Sequence, residues 1–171
     1  IFLMKRENGT SLCIPSTFVS YFGDVLDSKT PLLRSIEALN KASMTLCEAM
    51  GETDIEKISA AAGPEQEYFL IDKAYAALRP DLILTGRTVV GAAPPKGQSL
   101  DDHYFGSIPS RTAAFMHEVE VELYLLGIPA KTKHNEVAPS QFELAVVYSD
   151  ANIAADHNYL VMEILERMAD R

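Results

Sequence analysis

The stretch Lys131-Thr-Lys-His-Asn-Glu-Val-Ala-Pro-Ser-Gln-Phe-Glu-Leu144 contains two strand-like runs on either side of a Pro139-Ser140 turn signal. If Pro139 and Ser140 form the loop of a hairpin, Glu136 lies directly across from Glu143 on the same face, with Cβ atoms about 4.5 to 5.5 Å apart. Like charges at that distance destabilise a sheet unless a cation lies between them or one carboxyl group stays protonated. The hairpin therefore predicts a divalent metal site.

A second acidic pair lies upstream, in Gly63-Pro-Glu-Gln-Glu-Tyr-Phe-Leu-Ile71. Glu65 and Glu67 are two residues apart in a β-prone run, so a strand directs both side chains to one face. A single Glu-x-Glu is more often a solvated face than a ligand pair. Two separate β segments that each present a same-face carboxylate pair fit a site for hard cations with oxygen ligands.

The composition restricts the classes of protein that are possible. A length of 171 residues with 47% hydrophobic content is enough for one domain with its own core. The formal net charge of -9 argues against a nucleic-acid surface, and no apolar run is long enough to span a membrane. Cys13 and Cys47 are too few for a disulfide framework or zinc site, so we expect reduced thiols and a cytoplasmic location.

Turn and capping signals divide the chain into elements. Asn8-Gly9 between apolar runs predicts a hairpin, and Ile55 to Ala62 is ambiguous but suggests strand. The sequence predicts four helices: Thr30 to Gly51, Asp72 to Leu78, Pro109 to Leu126, and Asp150 to Arg171.

Three further expectations concern the last helix, a long connection and the fold class. Ile153, Leu160, Ile164 and Met168 are the residues of the last helix that we expect to face inward. The long connection from Arg79 to Ser107 is expected to lack regular structure and to be functional or mobile. Mixed strands and helices around a tight hairpin predict an α+β fold with a largely antiparallel sheet backed by helices.

Four blocks of sequence together resemble the glutamine synthetases, and more narrowly the large type III class of bacteria. They are Gly-Pro-Glu-Gln-Glu-Tyr-Phe at 63 to 69, Leu-Thr-Gly-Arg-Thr at 84 to 88, Asp-His-Tyr-Phe-Gly-Ser-Ile-Pro at 102 to 109, and His-Asn-Glu-Val-Ala-Pro-Ser-Gln-Phe-Glu-Leu at 134 to 144. The resemblance implies part of an incomplete, funnel-like β barrel. It also implies ligation of ammonia to L-glutamate through γ-glutamyl phosphate, with ATP as substrate, Mg²⁺ or Mn²⁺ as cofactor, and a ring-based homo-oligomer, a dodecamer in this family.

The resemblance also implies roles for individual residues. By motif match, Glu67, Glu136 and Glu143 look like ligands of the metal ion nearer glutamate. Glu65 looks like one ligand of the ion on the ATP phosphates. Tyr104 matches a tyrosine near the ammonium pocket, and Glu136 is similar in position to the residue that helps to deprotonate ammonium.

Other residues near these blocks have weaker signals. The run from Glu143 to Tyr148 resembles a segment that contacts the nucleotide, although a plain core strand has the same pattern. His134 shares the strand face of Glu136 and is expected to be a spectator more often than a neighbour that supports the ligands or an exposed side chain.

The family's downstream metal-binding histidine, glutamate-binding segment and late arginine cluster have no counterpart here, and neither does its N-terminal β-grasp domain. The first residue is not methionine, and the helix that ends at Arg171 has no stop signal. We therefore expect residues 1–171 to be a single segment of the catalytic domain, inactive alone. Two other readings stay open: a catalytically silent metal-binding or oligomerisation segment, and a glycoside hydrolase that uses two carboxylates about 5 Å apart.

Overall fold

The computed structural model describes residues 1–93, 97 and 99–171, and only the backbone of Asp101 and Asp102. Within these residues the strands are β1 (Phe2–Arg6), β2 (Gly9–Cys13), β3 (Ala61–Ala62), β4 (Glu65–Phe69), β5 (Ala130–Asn135), β6 (Gln141–Val146) and β7 (Ser149–Asp150). The helices are α1 (Lys29–Ala49), α2 (Lys73–Ala76), α3 (Pro80–Thr85), α4 (Ser110–Leu125) and α5 (Ala151–Ala169), with a 3₁₀ helix over Ser99–Phe105. All strand pairs are antiparallel, which confirms the predicted α+β class.

The chain forms two compact units. The first contains Ile1–Gly63 and Tyr148–His157, and the second contains Pro64–Val147 and Asn158–Arg171. In the first unit, β1 and β2 form the predicted hairpin, in which Arg6 pairs with Gly9. Gly9 has a φ of +139°, a backbone conformation that favours glycine after so short a turn.

The rest of the first unit contains α1 and a two-residue strand pair. Helix α1 starts one residue before the predicted Thr30 and ends at Ala49, and Gly51 follows with a φ of +85°. Strand β3 pairs with β7, where Ala61 lies opposite Asp150. This places a short strand at the end of the ambiguous run from Ile55 to Ala62.

The second unit is built on a three-stranded sheet in the order β4-β6-β5, so β6 is the central strand. One face of this sheet packs on α4 and the C-terminal part of α5. The buried residues of this core are Val119, Leu123, Ile128, Leu144, Val146, Val161, Ile164, Leu165 and Met168. Each fully buried side chain of this size contributes about 1.5 to 3 kcal/mol, so the core holds the sheet against the two helices.

The predicted register of the central hairpin is wrong by two residues. Glu143 pairs with His134 and not with Glu136, and five residues, 136–140, connect β5 to β6. The two-residue hairpin turns need a positive φ at their first position, which the ring of Pro139 forbids. The longer loop places Ser140 at a φ of +59° instead. A shift of two residues leaves every side chain on its predicted face.

Two features of the helices differ from the predictions. The region expected to be irregular, Arg79 to Ser107, contains α3 and the 3₁₀ helix, while its residues 94–96 and 98 lie outside the described part of the chain. Ile153 was expected to face inward but is 44% exposed, whereas Val161 and Leu165 are buried. The other inward residues of α5 are buried or half-buried as expected.

Among the residues that the structure describes, no helix has both the length and the apolar character needed to cross a membrane.

Candidate metal centre

Three side chains form a row across the face of the second unit's sheet that points away from the core. Glu67 of β4 pairs with Glu143 of β6, and Glu143 pairs with His134 of β5. Directly paired residues on neighbouring antiparallel strands project to the same face. Glu65 and Glu136 lie two positions from Glu67 and His134 respectively, so strand alternation directs them to this face as well. The fold therefore gathers all four predicted glutamates of the two acidic segments on one side of one sheet.

Glu136 is positioned by the start of the loop and by a tyrosine. Its backbone N–H donates to the Gln141 carbonyl at 2.9 Å, which extends the strand ladder by one bond. The Tyr104 hydroxyl donates to Glu136 Oε2 at 2.9 Å. The adjacent Asn135 side chain donates to the Gly106 carbonyl at 2.6 Å, tying the segment after the 3₁₀ helix to β5. Tyr104 thus contacts Glu136, the carboxylate that motif match places with it at the ammonium pocket.

Two of the four carboxylates, those of Glu136 and Glu143, are buried. Glu136 and Glu143 are each only 7% exposed, and burial raises the pKa of the Glu143 carboxyl above its ordinary value. The negative charges of Glu65, Glu136 and Glu67 raise the pKa of Glu143 further, and His134 lowers it. Glu143 therefore lies in a negative field that neither water nor one imidazole fully compensates.

His134 lies between the two buried carboxylates. Its Nε2 atom is 3.4 Å from Glu143 Oε1 and 3.5 Å from Glu136 Oε1, and its side chain is 45% exposed. One potential ligand atom from each of the three residues lies within 4.8 Å of the others. The sequence alone favours a spectator role for His134. The sequence did contain a signal for a closer association with the carboxylates. His134 lies two residues before Glu136 and therefore shares its strand face in either hairpin register.

The remaining predicted residues differ in how closely they join this cluster. Glu67 is exposed and accepts a hydrogen bond from Gln141 Nε2 at 2.8 Å, and Glu65 is also exposed. Both belong to β4, one of the two edge strands of the sheet. Tyr148 belongs to the first unit, where it is 70% exposed, and it is not part of the cluster, which lies wholly in the second unit.

The residues present fit a hard divalent cation. Carboxylate oxygens are the ligands that Mg²⁺ and Mn²⁺ prefer, and a buried carboxylate whose neighbours are mostly negative needs a positive partner. Glu67, Glu136 and Glu143 could hold one ion from three strand-linked positions, with Glu65 available to a second. The arrangement can bind and neutralise an anionic oxygen group brought to this face of the sheet.

Comparison with known proteins gives matches along nearly the whole chain. The family model described as glutamine synthetase, catalytic domain, matches residues 42–171, and the model described as glutamine synthetase type III N terminal matches residues 1–35. The junction between the two matches falls inside α1.

Curated relatives agree with the family models. A protein named glutamine synthetase from Bacteroides fragilis is 52% identical over 94% of this chain and 22% of its own length. A glutamine synthetase from Butyrivibrio fibrisolvens is 52% identical over 94% of this chain and 23% of its own length. A type-3 glutamine synthetase from Dictyostelium discoideum is 47% identical over 99% of this chain and 23% of its own length. The chain thus spans less than a quarter of the length of these relatives, and it belongs to the glutamine synthetase family.

Proposed function

We propose that this chain supplies part of the metal-binding catalytic face of a glutamate–ammonia ligase, the glutamine synthetase reaction. The observation that carries the proposal is the row Glu67, Glu143 and His134 across the sheet, with Glu136 beside it. Four carboxylates on one face form a site for cations that neutralise phosphate charge, as a phosphoryl transfer from ATP to glutamate requires. The relatives that carry this name support the same assignment.

The geometry and the motif match support a set of proposed metal ligands. Glu67, Glu136 and Glu143 would hold the ion nearer glutamate, and Glu65 would be one ligand of the ion on the ATP phosphates. When bound, Mg²⁺ or Mn²⁺ ions neutralise the charge of the transferred phosphoryl group. The protein's own contribution is to fix the oxygens. The backbone ladder holds Glu143 in the central strand, and the Gln141 amide holds one oxygen of Glu67.

Glu136 and Tyr104 would serve the ammonium site. The Tyr104 hydroxyl fixes Glu136 Oε2, so the orientation of the carboxylate is set before any substrate arrives. A buried, oriented carboxylate can accept a proton from ammonium and so release ammonia as the nucleophile. Tyr104 would orient the acceptor and the ammonium ion together, without itself exchanging a proton.

Four further parts of the proposal rest on the family. ATP, glutamate and ammonium are the proposed substrates, and Tyr148 with the segment from Glu143 is proposed to contact the nucleotide. A ring-based homo-oligomer, a dodecamer in the family, and a single catalytic-domain segment over 1–171 stay predictions. A cytoplasmic location is supported by Cys13 and Cys47, both of which are free thiols.

Metal titration tests the proposal directly. Calorimetric titration of the 171-residue chain with Mn²⁺ should show binding that disappears in the double variant Glu136→Gln, Glu143→Gln. The control Glu118→Gln, Glu163→Gln removes the same charge from exposed positions of the second unit's helices and should bind as the wild type does. Equal Mn²⁺ binding by the two folded double variants would refute the shared site.

The same titration addresses the rival readings. A two-carboxylate glycosidase needs neither Glu67 nor a metal ion, and the presence of Glu67 as a third carboxylate beside Glu136 and Glu143 argues against it. A silent metal-binding segment would bind Mn²⁺ equally well, so activity must separate it. We expect a longer chain that contains these residues to lose ligase activity with the Glu136→Gln, Glu143→Gln pair.

A further inference from the structure

Asn135 is a buried polar residue to which neither the metal centre nor the motif match assigns a role. It is 9% exposed, and it directly precedes Glu136 in the chain. We infer that Asn135 is a positioning residue, whose side-chain amide holds the turn that carries Tyr104 and so fixes the Tyr104 hydroxyl on Glu136. The inference rests on the proposed function, because the ammonium site that it concerns is part of that function.

Asn135 and Glu136 project to opposite faces of the sheet. Asn135 is the last residue of β5 and pairs with Phe142, and consecutive residues of a strand alternate in direction. Glu136 continues the ladder through the bond from its N–H to the Gln141 carbonyl. Because Glu136 shares the outer face with His134, the Asn135 side chain projects to the face that packs on the helices.

The segment that carries Tyr104 contacts both of these residues at a free edge of the sheet. Strand β5 is an edge strand, because the strand order is β4-β6-β5. The Tyr104 hydroxyl donates to Glu136 Oε2 at 2.9 Å, and Asn135 Nδ2 donates to the Gly106 carbonyl at 2.6 Å. Residues 104 and 106 are therefore attached to two consecutive residues whose side chains project in opposite directions.

The bond from Asn135 fixes the end of a turn that contains Tyr104. The Gly106 N–H donates to the His103 carbonyl at 3.3 Å, so residues 103–106 form one hydrogen-bonded turn. Gly106 is thus held at its N–H by His103 and at its carbonyl by Asn135. The Tyr104 hydroxyl lies at the end of a long side chain, so a small rotation of the turn would move it out of hydrogen-bonding range of Glu136. A fixed turn keeps the pair oriented before ammonium binds.

The chemistry of the amide group suits this role and also supplies the substitutions that test it. A buried amide without a hydrogen bond is costly, so the Asn135 side chain is strongly favoured on the Gly106 carbonyl. Alanine at position 135 removes the donor and leaves that carbonyl without its partner. The backbone ladder between β5 and β6 does not involve the Asn135 side chain.

A purely structural role for Asn135 would show the same hydrogen bond. Its loss would then affect stability and every substrate alike, whereas a positioning role acts through Tyr104 alone. A double-mutant cycle separates the two roles, because a residue that acts through the Tyr104 hydroxyl has no further effect once Tyr104→Phe has removed that hydroxyl.

The first measurement is NMR of ¹³C-labelled tyrosine rings in the 171-residue chain. The chain has seven tyrosines, and Tyr104→Phe identifies the signal of residue 104. Glu136→Gln removes the charge that accepts from the hydroxyl, so it should move this signal in the wild-type background and leave it in place in the Asn135→Ala background. The matched control Asn158→Ala removes the acceptor of the Gln66 amide in the same unit, and there Glu136→Gln should still move the signal.

The second measurement is steady-state kinetics in a chimera in which this chain replaces the matching residues of the Bacteroides fragilis relative. Asn135→Ala should lower kcat/KM for ammonium about threefold to tenfold, as expected for one neutral hydrogen bond, and should change KM for ATP less than twofold. In the Tyr104→Phe background, Asn135→Ala should have no further effect. Asn158→Ala should leave kcat/KM for ammonium unchanged.

The outcomes separate the inference from the proposed function. If Tyr104→Phe lowers kcat/KM for ammonium while Asn135→Ala changes neither that value nor the response of the Tyr104 signal to Glu136→Gln, the inference is overturned and the proposed ammonium role stands. If Asn135→Ala abolishes that response but Tyr104→Phe leaves kcat/KM for ammonium unchanged, the positioning of Tyr104 stands and its proposed ammonium role fails. Equal losses from Asn135→Ala in the wild-type and Tyr104→Phe backgrounds would show a structural role and overturn the inference.

Discussion

Replacement of Glu143 by glutamine should have opposite effects on stability with and without metal. The wild-type chain without metal buries the Glu143 carboxylate near that of Glu136, and their facing oxygens lie within 4.8 Å. Glutamine has nearly the same shape but no charge. We therefore expect the metal-free variant to be more stable than the wild type and to gain nothing from Mn²⁺.

The size of the effect follows from the separation of the charges. Two unit charges 4.8 Å apart repel by about 3.5 kcal/mol at an effective dielectric constant of about 20, and by about 0.9 kcal/mol in bulk water. Glutamine also loses any attraction to His134 and must satisfy a buried amide group. These opposing contributions leave an expected net gain of about 1 kcal/mol in the free energy of unfolding. With Mn²⁺ at about 100 times its dissociation constant, the wild type should gain about 2.7 kcal/mol and become the more stable protein.

Urea unfolding followed by far-ultraviolet circular dichroism measures this reversal, since the chain has no tryptophan to report by fluorescence. In the presence of a chelator, the midpoint for Glu143→Gln should rise by about 0.3 to 1 M, given slopes of about 1 to 3 kcal/mol per molar urea. Glu163→Gln removes one exposed charge and is the control. A lower midpoint for Glu143→Gln without metal, or an equal response of both proteins to Mn²⁺, would refute the reasoning.

Three further predictions concern activity and acid stability. The 171-residue chain with ATP, glutamate, ammonia and Mn²⁺ should form no glutamine above buffer, because it spans less than a quarter of the length of its relatives. Measurable turnover would contradict this. The next prediction uses a chimera in which this chain replaces the matching residues of the Bacteroides fragilis relative. In that chimera, Glu67→Ala should lower kcat about 10² to 10³-fold, and Tyr104→Phe should lower it about tenfold at most. Equal losses of kcat in the two variants would contradict the roles assigned to both residues. The hydrogen bond from Lys133 holds the pKa of Glu120 below its ordinary value of 4.5. The ion pair between Lys133 and Glu120 therefore stabilises the folded chain above pH 4.5. This stabilisation is lost as the pH falls through the lowered pKa that Glu120 has in the folded chain. Lys133→Gln should therefore unfold more easily than the wild type at pH 7, and a difference that stays constant down to pH 2 would count against the pair.

The same-face grouping of the glutamates could be predicted from sequence because it depends only on strand alternation. Glu65 and Glu67 are two residues apart, and the hairpin is close enough in sequence for its faces to be assigned. The partner of Glu143 could not be assigned without knowing the turn. The restriction that Pro139 places on φ was the available clue, and it excludes the two-residue turns that the predicted register needs.

The order of the strands in the sheet could not be predicted from local sequence patterns. Strand β4 pairs with β6 across more than seventy residues, and Glu67 meets Glu143 only through that pairing. Loop closure over such a distance costs entropy that nothing in either segment reveals. The burial of Tyr68 and Leu144 on the opposite face of the sheet compensates that cost, and it emerges only when α4 and α5 are packed against it.

Helix α3 was missed because one residue carries two opposite signals. Pro80 ends a preceding helix, since it forces its neighbour out of helical geometry, but proline is also favoured in the first turn of a new helix. The structure uses it in both ways, with α2 ending at Ala76 and α3 beginning at Pro80. Gly86, with a φ of +68°, then ends α3 in the left-handed conformation that glycine adopts readily.

The position of Glu143 in the central strand explains why metal binding and folding should be coupled in this protein. Glu65 and Glu67 lie on an exposed edge strand, where water can solvate their charges. Glu143 has a strand on each side, and its backbone groups are committed to the ladders, so the sheet holds its side chain between those of Glu67 and His134. The core on the other face fixes that sheet in place. The strand that stabilises the second unit therefore also desolvates the Glu143 carboxylate, at a cost in folding free energy. A bound cation offsets that free-energy cost without any rearrangement of the core.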